Sequence, residues 1–127
     1  MIRLIQRRLI IPRGDTGSFT IPCLSTVSNN DKVIFFIFNP LTHKKTFQKE
    51  AEIDDGLINI NFSYNETLSI PAGKYVWDIK YYKNPIIEDD EIIDAEEVNS
   101  YYASFSLPIC EIKETAEDWS ISNVINE

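Results

Sequence analysis

The stretch from Leu68 to Tyr82, LSIPAGKYVWDIKYY, constrains the fold most, because a proline-glycine corner leads into a long segment with a period of two. Successive side chains of a β-strand point to opposite faces of the sheet. The alternation therefore predicts a strand with one buried, aromatic-rich face and one wetter face. The buried face is predicted to hold Tyr75, Trp77, Ile79 and Tyr81, and the wetter face Val76, Asp78, Lys80 and Tyr82. Such a strand is typical of an antiparallel sheet covered on one side.

Further short segments, separated by turn residues, occupy most of the remaining chain. Strands are predicted at 2–11, 16–23, 32–39, 44–53, 57–64 and 100–109, with Tyr64 expected to point inward. Turns are predicted at 13–17, 54–56 and 71–73, where Gly, Asp and Pro favour turn conformations. The segment 32–39 is apolar on both faces, so it is expected to be covered on both sides, within the sandwich or by a neighbouring subunit.

About seven or eight short strands with turns every 8–12 residues or so predict an all-β fold, an immunoglobulin-like antiparallel β-sandwich. A chain of 127 residues is expected to form one domain. We assign residues 1–110 to the sandwich and residues 111–127 to a polar C-terminal tail, which is either loosely held or a short helix that docks on a partner.

The net charge of −8 is distributed unevenly along the chain. Residues 1–50 carry eight Lys or Arg and three acids, net +5, whereas residues 51–127 carry four and seventeen, net −13. Either the opposite charges meet across the folded surface, or the subunit is dipolar and stacks head to tail with copies or partners. The acidic balance argues against nucleic-acid binding. No apolar run approaches the ~20 residues that span a bilayer, and no signal-peptide core is present, so we expect no membrane partner and a cytoplasmic origin.

Residue types that carry chemistry are few and scattered. The one histidine, His43, lies between polar residues and lysine in LTHKK and is expected to be a solvated loop residue. Cys23 and Cys110 lack metal-like spacing and are expected to be free thiols, and a disulfide would require adjacent strands. The acidic stretch 88–97 holds seven carboxylates in ten residues, which predicts an exposed hairpin tip, with calcium binding left open. We therefore predict no enzymatic activity and no cofactor.

The order of several motifs resembles that of a known family. RLIQRRLIIPRGDTGSFTIP, an FNP turn and LSIPAGKYVWDIKYYKNPII together resemble the immunoglobulin-like N-terminal domain of phage baseplate upper proteins and related small prophage tail proteins. The similar segments cover most of residues 3–109 and include the turn at Gly14 and the corner at Gly73 and Tyr75. In that family the domain heads a longer chain, whereas this sequence stops at Glu127.

The resemblance implies a structural role in the virion, at the tail or baseplate. The chain would be assembled in the bacterial cytoplasm, and its partners would be other tail or baseplate proteins and copies of itself in a homo-oligomer. The alternative function is a carbohydrate-binding module that presents tyrosines and the acidic loop to a host glycan. From the charge asymmetry, the apolar strand and the tyrosines, we predict a partner interface formed by Arg3, Arg7, Arg8, Phe36, Phe38, Tyr82 and Tyr102.

Overall fold

The fold is a β-sandwich, seen in a computed structural model that describes residues 1–23, 28, 30–102 and 107–115. In chain order the elements are β1 (Arg3–Ile5), β2 (Arg8–Pro12), β3 (Gly17–Pro22), β4 (Lys32–Phe38), β5 (Lys45–Glu50), β6 (Glu52–Asp54), β7 (Leu57–Phe62), α1 (Tyr64–Leu68), β8 (Gly73–Lys83), β9 (Ile86–Glu88), β10 (Glu91–Asp94), β11 (Glu97–Ser100) and β12 (Ile109–Lys113). The predicted all-β class is confirmed. The strands are shorter and more numerous than predicted.

Two sheets and a separate hairpin organise these strands. The large sheet has the order β1-β2-β12-β8-β4-β5, with β11 also pairing with β8, and the small sheet has the order β3-β7-β6. β9 and β10 pair only with each other in the described part of the chain. The two sheets face each other across the core, where Phe19 of β3 packs against Trp77 of β8 and Phe62 of β7 packs against Phe35 of β4.

One strand pair departs from the predicted antiparallel arrangement. β2 and β12 run parallel, with Cys110 opposite Leu9 and Ile112 opposite Ile11. These strands come from the two ends of the domain, so no local turn signal could have indicated their direction. β12 continues to Lys113, so residues 111–113 belong to the large sheet, and residues 116–127 of the predicted tail lie outside the described part of the chain.

Two predicted strands are in fact divided. The segment 2–11 is the β1–β2 hairpin, whose turn places Gln6 at a φ of 57°, with Ile5 opposite Arg8. The segment 44–53 is split between β5 in the large sheet and β6 in the small sheet. Ala51 is buried at the crossing point and donates its backbone N–H to the Val33 carbonyl oxygen at 2.8 Å. Neither break coincides with a Gly or Pro, which explains why the pattern looked continuous.

The end of the predicted strand 57–64 and the whole predicted strand 100–109 also differ from expectation. Tyr64 does not point into the core, because it begins the helix α1 and its side chain is 42% exposed. A capping box between Ser63 and Glu66 starts this helix: Ser63 Oγ accepts from the Glu66 N–H, and Glu66 Oε1 accepts from the Ser63 N–H. The predicted strand 100–109 is replaced by β12, which begins only at Ile109, and its residues 103–106 lie outside the described part of the chain.

The turn predicted at residues 54–56 is confirmed. Asp55 and Gly56 adopt φ values of 49° and 74°, and Asp54 lies opposite Leu57 across the hairpin. Two successive residues with positive φ form the tight turn that matches the twist of antiparallel strands. Its closure places Ile58 and Ile60 of β7 in the core, where both are fully buried.

The core is centred on the predicted aromatic face of β8. Trp77 is fully buried, and its ring centroid lies 5.7 Å from that of Phe19 and 5.9 Å from that of Phe35. Tyr75, two residues earlier, donates its hydroxyl to the Pro71 carbonyl oxygen at 2.8 Å, which ties the start of β8 to the corner that precedes it. Aromatic packing around Trp77 joins the two sheets.

Candidate functional site

The candidate site is the acidic hairpin, which we define as residues 86–94 and whose two strands belong to neither sheet of the sandwich. Its turn is formed by Asp89 and Asp90, with φ values of 51° and 63°, and Glu88 lies opposite Glu91. Aspartate tolerates this left-handed backbone better than most residues. All five carboxylate side chains of the hairpin are exposed, so the predicted exposed hairpin tip is confirmed.

The acidic hairpin also exposes isoleucines. Ile86, Ile87 and Ile93 are 53%, 45% and 54% exposed. The register shifts between Ile92 and Asp94, which makes Ile93 the extra residue of a bulge. Ile87 lines the groove toward the large sheet, and Ile86, its neighbour in β9, points to the opposite face of the hairpin. Single exposed apolar side chains are ordinary on protein surfaces, but three of them among five carboxylates on one short hairpin make it a candidate for a protein contact.

Asp31 holds the base of the acidic hairpin in place. This side chain is 7% exposed and accepts a short hydrogen bond from the Tyr81 hydroxyl. It also accepts from the backbone N–H of Ser28 at 2.9 Å and from that of Asn84 at 3.0 Å. Asn84 has a φ of 44° and in turn donates its side-chain amide to Glu96 at 2.8 Å. One buried carboxylate thus ties β8 to the first residue of the loop that leads into the hairpin.

These contacts determine the protonation of Asp31. Burial raises its pKa, but the hydrogen bonds donated by Tyr81, Ser28 and Asn84 outweigh burial and lower the pKa from 3.8 to about 2. Burial and the hydrogen bond to Asp31 raise the pKa of Tyr81 above its usual value of 10.0. Asp31 is therefore ionised and Tyr81 protonated throughout the physiological pH range, and the anchor stays intact.

A groove of about 550 Å³ separates the acidic hairpin from the outer face of the large sheet. Lys32, Phe36 and Tyr82 line it from the sheet, and Ile87 and Asp90 line it from the hairpin. Lys32 pairs with Glu50 at 3.3 Å. The groove is therefore of mixed charge, with an apolar floor between lysines and carboxylates.

Phe36 forms that floor and is only 5% exposed. Its ring lies 5.6 Å from that of Phe38, and the ammonium groups of Lys45 and Lys80 lie 5.5 and 5.9 Å from its centroid. The apolar strand β4 is thus covered on its outer face by residues of its own chain at Phe36, whereas Phe38 stays half-buried. Phe36 is covered by Phe38, Lys45 and Lys80 and is not displayed as an open contact.

A second surface, the basic edge, is formed by the exposed residues Arg3, Ile5, Arg7 and Arg8 of the β1–β2 hairpin. β1 is the terminal strand of the large sheet and pairs only with β2 in the described part of the chain. Arg3 and Ile5 share one face of β1, and Ile5 is 51% exposed. Arg8, opposite Ile5, forms an ion pair with Glu111 of β12. This edge presents arginines around one exposed apolar side chain.

The seven residues predicted as a partner interface do not form one patch. Arg3, Arg7 and Arg8 belong to the basic edge, and Phe36, Phe38 and Tyr82 lie on the outer face of the large sheet. β1 and β4 are four strand positions apart in that sheet, which corresponds to roughly 19 Å. Tyr102 packs edge-on against Trp77 at 5.0 Å, and the Arg7 guanidinium lies 6.0 Å from its ring. The structure thus divides the predicted set between two surfaces and a half-buried tyrosine.

The tyrosines considered for sugar binding do not form an exposed aromatic platform. Tyr81 is 6% exposed and is engaged by Asp31. Tyr82, Tyr101 and Tyr102 are half-buried, and Tyr101 and Tyr102 pack against the hydrophobic core.

The residues considered for chemistry lie apart from one another. His43 is exposed in the loop after β4, at a φ of 61°. Cys23 is half-buried and Cys110 is buried in β12, and both are free thiols. Burial raises the pKa of Cys110 to about 12.

The part of the chain that the structure describes, residues 1–23, 28, 30–102 and 107–115, contains no group of three or more His, Cys, Asp or Glu side chains placed to hold a metal ion. It also contains no helix with the length and apolar character needed to cross a bilayer.

Sequence reasoning missed the exposed isoleucines and the role of Asp31. The isoleucines were visible as an interruption of the acidic run, and that mixture was the available signal. Asp31 had none, because its partners Tyr81 and Asn84 lie 50 and 53 residues away. In comparisons with known proteins, no family model, curated protein or solved structure matches this chain.

Proposed function

We propose that this chain is a non-enzymatic structural protein of a phage or prophage tail, which joins parts of the host-adhesion apparatus through protein contacts. The observation that carries the proposal is the acidic hairpin, which holds three exposed isoleucines outside both sheets of the sandwich. None of the residues 86–94 belongs to the hydrophobic core, so the hairpin is available to act as a contact element.

The basic edge gives the proposal a second contact surface. A linking protein needs at least two surfaces that act at once, and the acidic hairpin and the basic edge have opposite charges. The rigid sandwich between them fixes their spacing. The resemblance of the RGDT and PAGKYVWD segments to tail and baseplate domains supplies the biological setting. The expected location is the tail or baseplate of a particle assembled in a bacterial cytoplasm, with other tail proteins as partners.

The proposal is tested by asking whether the chain is part of particles. Particles released from the encoding strain would be purified by density gradient, and the chain would be sought by mass spectrometry and by antibody labelling in electron microscopy. We expect a fixed copy number and label at the tail end. A chain absent from purified particles, with no tail genes beside its own, would contradict the proposal.

A further inference from the structure

The acidic hairpin and the basic edge are complementary in two respects. The hairpin offers exposed isoleucines within carboxylates, and the edge offers exposed Ile5 within arginines. Opposite potentials across a contact steer association and disfavour like surfaces. Neither surface is complementary to itself, because two hairpins would bring carboxylates together and two edges would bring arginines together.

We infer that a second copy of this chain is the partner of the acidic hairpin, which docks on the basic edge of that copy. The inference rests on the proposed function, because it names one of the partners in assembly. The contact is heterologous, since each copy contributes a different surface, so it produces a ring or an open chain of copies. Ile86 and Ile93 would meet Ile5, and the hairpin carboxylates would surround Arg3.

The position of the two surfaces favours contact between copies. Within one copy, the groove beneath the acidic hairpin borders β4, β5 and β8, whereas the basic edge lies at the far side of the large sheet. β1 also has one unpaired backbone edge in the described part of the chain, so an incoming hairpin strand could add backbone hydrogen bonds. The hairpin anchor at Asp31 limits the ordering that binding requires.

The test uses two variants of the whole chain. The hairpin variant carries Ile86→Lys and Ile93→Lys, and the edge variant carries Arg3→Glu and Ile5→Glu. All four positions are exposed, so the sandwich should stay folded, which is checked by circular dichroism and thermal melting. Leu41→Lys, at a side chain that is 90% exposed in the loop after β4, is the matched control for adding a lysine in place of an apolar residue.

Sedimentation velocity over a concentration series measures the outcome. Wild type and the Leu41→Lys control should associate equally, and each interface variant alone should associate at least about tenfold more weakly. An equal mixture of the two variants should recover a one-to-one dimer, because the intact hairpin of one copy meets the intact edge of the other. Added salt should weaken all of these contacts.

Three results would overturn the inference: a wild type that stays monomeric throughout, a variant that associates like wild type, or a mixture without a recovered dimer. If either variant does not fold, Arg3→Glu and Glu91→Lys replace them as single charge reversals, and the mixture is judged in the same way. A monomeric wild type that is nevertheless found in tail particles would reject self-docking and leave the proposed function standing.

Discussion

Replacing Trp77 by alanine tests the packing on which the whole sandwich depends. The indole is fully buried, and rings of both sheets surround it, at 5.7 Å for Phe19 and 5.9 Å for Phe35. Its Nε1–H also donates to the Arg7 carbonyl oxygen at 2.9 Å, which ties the core to the β1–β2 turn. Truncation therefore removes a large apolar side chain, leaves a cavity between the sheets and breaks one hydrogen bond.

Deleting a large buried aromatic costs about 3–5 kcal/mol, because lost transfer energy and the cavity add together. Domains of this size are stable by only about 5–15 kcal/mol, so the variant should be marginal. Urea unfolding followed by far-ultraviolet circular dichroism would measure the free energy of unfolding for wild type and variant. Leu41→Ala, at the 90% exposed loop position, should change it by less than about 0.5 kcal/mol. A loss under about 1 kcal/mol for Trp77→Ala would refute the assigned faces of β8.

Three further predictions concern an anchor, a turn and a thiol. The pKa of Asp31 in the folded state is about 2, below the ordinary 3.8, so the ionised carboxylate adds about 2 kcal/mol to the free energy of unfolding above about pH 4, and this stability is lost as the pH falls through 2. The variant Asp31→Asn should lack this pH-dependent part when the free energy of unfolding is measured across acid pH. The same acid profile for wild type and variant would contradict the prediction. Gly56→Ala should lower the free energy of unfolding by about 1 kcal/mol in the same urea assay, because the backbone φ of 74° at this position is strained for alanine, although a Cβ would meet nothing within 4 Å. An unchanged or higher stability would show that the turn tolerates alanine. Cys110 should resist iodoacetamide in the native state and react after unfolding, because burial raises its pKa to about 12 and the thiolate is the reactive form. Mass spectrometry would locate the label, and rapid labelling of Cys110 in the native protein would contradict its burial.

Local pattern predicted the parts of the fold that local forces determine. The Asp55-Gly56 turn is a property of adjacent residues and is confirmed. The alternation in β8 is confirmed for the buried face at Trp77, Ile79 and Tyr81, but not for the wetter face at Asp78. The capping box from Ser63 to Glu66 is also a local signal, and it marks the start of α1. The break at Gln6 had no such signal, since glutamine is not a typical turn residue with positive φ.

Contacts between distant parts of the chain decided the remainder. Asp78 was expected on the wetter face, yet it is 2% exposed and accepts the Tyr102 N–H at 3.0 Å. Burial raises the pKa of Asp78. The parallel pairing of β2 with β12 and the anchoring of the hairpin by Asp31 similarly join residues far apart in sequence. For the candidate site, the sequence indicated charged and apolar residues, but only the structure separates them into a hairpin and an edge.

Crosslinking inside particles would show directly whether the acidic hairpin is an assembly contact. A photoreactive amino acid would replace Ile93, which is 54% exposed, and another would replace Leu41 as the control position. After irradiation of purified particles, mass spectrometry would identify the attached peptide. We expect position 93 to crosslink to a tail component, with the β1–β2 hairpin of a neighbouring copy among the targets, and position 41 not to crosslink to that site. Particles that contain the chain but yield no protein crosslink from position 93 would show that the acidic hairpin is not an assembly contact.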